Sequence, residues 1–84
     1  MDYPIDYSLY STEEIVKLVE FMHLIEQYHD PEYTVNDQSV LSKYHDFTTI
    51  INNQAEEKKI GKAFEKQTGL SIYKTIKTIK STLA

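Results

Sequence analysis

The chain has 84 residues, 40% hydrophobic and 26% charged, with no cysteine and a net charge of −4. That length suits one domain, residues 1–84, with a thin core and no room for a large buried active site. The missing thiols exclude disulfides, thiolate zinc sites and cysteine nucleophiles and suit a reducing cytoplasm. No stretch approaches the roughly 20 apolar residues of a membrane span, and the opening residues, with Asp2 and Asp6, lack the basic and apolar runs of a signal peptide.

Charge is distributed unevenly. Residues 1–57 carry twelve acids against Lys17 and Lys43, net −10, whereas residues 58–84 carry seven lysines against Glu65, net +6. Such polarity can serve a partner at either end or draw the two parts of a bundle together.

In chain order, residues 1–10 interleave apolar and polar side chains around Pro4, the pattern of an extended arm. Its tyrosines, Tyr3, Tyr7 and Tyr10, either lie across the helices as a lid or form an exposed aromatic strip. Ser11-Thr12-Glu13-Glu14 is a capping box that opens a first helix over 12–29. At about 100° per residue, Ile15, Leu18, Val19, Met22 and Ile25 share one face, widened by Phe21 and Tyr28. Lys17, Glu20, His23 and Gln27 stand opposite, and Pro31 ends the helix.

A second helix is expected over 37–51, capped by Asn36, with Val40, Tyr44, Phe47 and Ile51 in line. Asn53 with Glu56 opens a third, over 54–68, in which Ile60, Ala63 and Phe64 face inward. Lys58, Lys62 and Lys66 form a basic stripe along it, and Gly69 supplies a left-handed stop. Ser71 then caps a fourth helix over 72–82, where Ile72, Ile76, Ile79 and Leu83 repeat at helical spacing and Lys74, Lys77 and Lys80 line a flank. The expected fold is therefore all-α, a small three- to four-helix bundle with an extended N-terminal arm.

Chemistry-bearing patterns are sparse. His23, Glu26 and His29 span an arc of about 120° on the first helix, too wide for one metal ion. The paired acids Glu13-Glu14 and Glu56-Glu57 fall in first turns, where the helix dipole favours carboxylates for stability alone. Two isolated glycines make no phosphate cradle. The chain is read as non-enzymatic, with no catalytic residues, cofactor or metal. The Gly69 turn followed by a basic helix superficially resembles a helix-turn-helix DNA reader. Against that stand Glu65 where a small residue is usual, the absence of arginine, and the acidic balance of the whole.

Together these segments resemble the YktA-like family, small cytosolic proteins of low-GC Gram-positive bacteria without an assigned function. The likeness rests on Tyr3-Pro4, Ser11-Thr12-Glu13-Glu14, Ala55-Glu56-Glu57-Lys58, Phe64-Glu65, Gly69, Tyr73 and Ile76-Lys77 in that order. Departures are Tyr10, where the family pattern has tryptophan, and Asn52-Asn53, where it has Pro-Ser; Asn53 still caps. The resemblance implies a compact helical fold and a cytoplasmic home and brings no activity with it. The functional expectation is a protein-interaction module binding an unknown protein partner or itself, and no membrane. Its contact residues would be Tyr3, Tyr7 and Tyr10 of the arm, or Lys58, Lys62, Lys66, Lys74, Lys77 and Lys80. Nucleic-acid binding through those lysines is the alternative.

Overall fold

The computed structural model describes residues 3–83; Met1, Asp2 and Ala84, and the side chain of Leu83 counted above with the apolar face, lie outside the described residues. Four helices follow the arm: α1 (Thr12–Tyr28), α2 (Asp37–Ile50), α3 (Gln54–Thr68) and α4 (Ile72–Leu83). There is no strand among the described residues, so the fold is an all-α bundle.

Each helix starts where a side chain satisfies amides that the helix itself leaves free. Ser11 Oγ accepts from Glu14 N at 3.2 Å while Glu14 Oε1 accepts from Ser11 N at 2.9 Å, closing the capping box. Asn36 Oδ1 accepts from Gln38 N, Asn53 Oδ1 from Ala55 N and Glu56 N, and Ser71 Oγ from Lys74 N. Glu13, Glu14, Asp37, Glu56 and Glu57 sit in first turns, at the positive ends of their helices. α3 ends on Gly69, whose φ of 78° is the left-handed conformation that only glycine adopts without strain.

The core is a single apolar cluster. α1 contributes Leu18, Phe21, Met22 and Ile25, α2 Val40 and Phe47, α3 Ile60 and Phe64, α4 Ile72, Ile76 and Ile79. α1 and α2 pack most extensively, and α4 closes against α2 and α3. Phe21 and Phe47 meet at 4.9 Å between ring centroids, and Tyr44 joins both at 5.8 and 6.2 Å. Offset aromatic contacts of this kind add to simple burial.

The arm completes the core. Ile5 is buried, and Tyr3 and Tyr10 are half-buried against the cluster. Tyr3 lies 6.3 Å from Phe64 of α3 and beside Glu26 of α1, so the arm bridges α1 and α3. It is not extended throughout. Tyr7–Leu9 form one 3-10 turn, because the Asp6 carboxylate accepts both the amide (3.1 Å) and the hydroxyl (2.6 Å) of Ser8. That turn directs Tyr7 outward, leaving it 42% exposed.

The two glycines give opposite expectations. Beyond the adjoining residues and the local helix backbone, a Cβ at either position meets no heavy atom within 4 Å. At Gly61, inside α3, alanine is therefore expected to raise stability by about 1 kcal/mol through helix propensity. At Gly69 the positive φ makes alanine cost about 1 kcal/mol. Urea unfolding of Gly61→Ala and Gly69→Ala should shift the midpoint in opposite directions.

Candidate interaction surface

The arm and the lysines expected at a contact surface are placed differently. Tyr3 and Tyr10 are built into the bundle, where burial raises both phenols; for Tyr3 the Glu26 carboxylate adds to it, and the value reaches about 12. Only Tyr7 of the three stays exposed, with Leu9 next to it at 63%. Glu26 Oε1 is buried with no hydrogen-bond partner among the described residues.

Lys58, Lys62, Lys66, Lys74, Lys77 and Lys80 are all exposed. The single ion pair among the described residues, Lys43–Glu20 at 2.8 Å, joins α2 to α1 within the acidic part of the chain. The charge polarity read from the sequence is therefore not consumed in direct contacts between its two parts. α4 contains three lysines and no acid. Tyr73, Lys77 and Lys80, spaced by four and three, share its outer face, and Tyr73, 73% exposed, is the most exposed large hydrophobic side chain among the described residues.

An open cleft of about 670 Å³ lies where α2, α3 and the start of α4 meet. Its floor is the half-buried Tyr44 over the buried Phe47 and Ile72, Gly61 lies on the α3 side, and Lys58, Lys62, Glu57, Glu65 and Tyr73 stand around it. Tyr44 organises this region. Its hydroxyl donates to Glu57 Oε1 at 3.0 Å, and Lys80 Nζ lies 5.6 Å from its ring centroid, within cation–π range. Burial first, and then Glu57, push the Tyr44 phenol up to about 12.

A smaller depression between the end of α1 and α4 includes Tyr28, His29, Lys74 and Thr75. Thr75 is 3% exposed, and its hydroxyl donates to the Ser71 carbonyl at 2.7 Å. With its one proton so committed, Thr75 Oγ1 accepts from His29 Nε2, 2.7 Å away, which assigns the proton to Nε2. Sequence periodicity missed this tie, because it joins positions 46 apart through a threonine that reads as flank. His23 and His45 are exposed, and no group of three metal-ligating side chains occurs among the described residues. No helix there is long and apolar enough to cross a membrane.

These features describe a small helical bundle with a cleft bordered by lysines and glutamates in equal number. The chain matches the model of UPF0223, an uncharacterised protein family, over residues 1–83, and it belongs to that family. It is 35% identical over 80 residues to a UPF0223 protein of Streptococcus gordonii, covering 95% of this chain and 84% of that one. A Bacillus cytotoxicus relative is 39% identical over 80 residues, covering 95% and 86%, and one from Staphylococcus saprophyticus 37% over 79, covering 94% and 83%. The resemblance read in the sequence, to an uncharacterised family of low-GC Gram-positive bacteria, is met along the whole chain.

The Tyr44 phenol gives a pH expectation. Its folded pKa of about 12 lies above the ordinary 10.0, so the folded state holds the proton more tightly. The resulting stabilisation is complete below pH 10 and is lost as pH rises toward 12. Tyr44→Phe should remove one late-ionising phenol from the ultraviolet tyrosinate titration and flatten the fall in urea midpoint over that interval.

Proposed function

We propose that this chain is a non-enzymatic protein-interaction module of the cytoplasm, docking a protein partner through the basic side formed by α3 and α4. One observation carries the reading: the six lysines of that side are exposed, and none of them forms an ion pair among the described residues. Unpaired surface charge of one sign steers and selects partners of the other. Tyr73, standing among these lysines, adds the kind of side chain that anchors protein interfaces. The arm is the weaker docking element, since Tyr3 and Tyr10 already serve the core.

Nucleic acid is the second reading, because an exposed tyrosine among lysines also suits base stacking. Glu57 and Glu65 beside the cleft weigh against phosphates there. The test is capture by tagged chain from the cytosol of a low-GC Gram-positive bacterium at low and moderate salt, with and without nuclease. The expected result is a protein recovered after nuclease treatment and lost with Lys74→Glu/Lys77→Glu. Recovery abolished by nuclease would transfer the reading to nucleic acid, and no nuclease-resistant protein at either salt would remove the interaction module.

A further inference from the structure

Resting on the interaction reading, we infer that the protein docked on the basic side is a second copy of this chain, whose acidic loop between α1 and α2 seats on the outer face of α4. The chain carries both halves of such a contact. Asp30, Glu32 and Asp37 lie in and beside that loop, and no lysine or arginine occurs between Lys17 and Lys43. On α4, Lys74, Lys77 and Lys80 occur with no acid in the helix. Glu65 of α3, which borders the depressions beside Tyr73 and Lys74, offsets one of these three cations and leaves the face basic. The single ion pair among the described residues, Lys43–Glu20, uses neither cluster, so the two opposite charges are not spent on each other within one copy.

An exposed aromatic ring stands in each cluster. Tyr33, 53% exposed, and Tyr73, 73% exposed, are the two most exposed tyrosines among the described residues. Each ring is uncovered beside charges of a single sign, and the sign is opposite in the two places. Joining the surfaces brings lysines to the Tyr33 ring and takes apolar area of both tyrosines out of water. The loop is also held ready. The Asp30 carboxylate accepts from Glu32 N at 2.9 Å and the Asp30 carbonyl from Tyr33 N at 3.1 Å, with Pro31 between them, so Tyr33 is presented from a fixed turn that loses little freedom on docking. Two copies of net charge −4 repel as wholes. That repulsion is largely screened beyond roughly 8 Å at physiological salt, whereas groups in contact are screened far less, so the local match of sign decides.

The test is sedimentation equilibrium of the full purified chain over a range of concentrations at low and moderate salt, with far-ultraviolet circular dichroism to show that each variant is folded. The unmodified chain should self-associate, more weakly as salt rises. Lys74→Glu/Lys77→Glu and Glu32→Lys/Asp37→Lys should each weaken association at least about tenfold, and Tyr33→Ala and Tyr73→Ala should weaken it as well. The loop reversal is the stringent one, because it brings the net charge from −4 to zero, which by itself favours association. Glu32→Lys alone, at an exposed site outside the helices, repeats the test should lysine at position 37 disturb α2. Mixing the two reversed chains, or combining the four substitutions in one chain, should restore association. A chain that stays monomeric, association untouched by either reversal or by both tyrosine variants, or no recovery on mixing would each overturn the inference. A monomeric chain that still captures a different nuclease-resistant protein loses the second copy as its partner and keeps the interaction reading. Failure of capture by the unmodified chain removes that reading by itself.

Discussion

Tyr44 is where the four helices meet. Its ring packs on Phe21 of α1 and beside Phe47 of its own helix, its hydroxyl bonds Glu57 of α3, and Lys80 of α4 lies over its face. A chain of this size has few side chains with which to tie every element to every other, and a tyrosine is suited to the task because one end is apolar and the other polar. Half-buried, it carries the α1–α2 core outward to α3 and α4. The same position makes it part of the cleft, so the residue that binds the helices together also shapes the surface offered to solvent.

The arm answers the same shortage of core. Ile5, Tyr3 and Tyr10 lie where α1 and α3 need apolar cover, and the single turn at Tyr7–Leu9 lets the chain present one tyrosine to solvent between two that face the bundle. On the opposite side of the charge balance, α4 keeps its cations free of acidic neighbours in its own sequence while burying Ile72, Ile76 and Ile79. Structure and surface charge are thus divided between the two faces of one short helix.

Local features were legible in the sequence. Ser11, Asn36, Asn53 and Ser71 cap because their side chains reach amides two or three residues on, and Gly69 stops α3 because of its own φ. Apolar spacing likewise placed Leu18, Met22, Ile25, Phe47, Phe64 and Ile79 in the core. What stayed hidden depends on packing between distant segments. The burial of Thr75 follows from His29 and Ser71 meeting its hydroxyl, and the cleft exists only once three helices are assembled. The turn in the arm did have a local signal, Asp6 two residues before Ser8, but Pro4 and the alternating pattern argued for extension. Which of the three tyrosines would turn inward could not be read without that turn.

The contact of Tyr3 with Phe64 joins residues 61 positions apart and so closes nearly the whole chain into one loop. Closing so long a loop carries the largest entropic cost of the aromatic contacts described, and it is repaid only when α1 and α3 are both formed. The arm therefore depends on a partner, Phe64, that lies in the third helix. Until that helix forms, Tyr3 and Ile5 have no complete site to enter. Seating of the arm is therefore coupled to the formation of α3, far along the chain, rather than to its own local sequence.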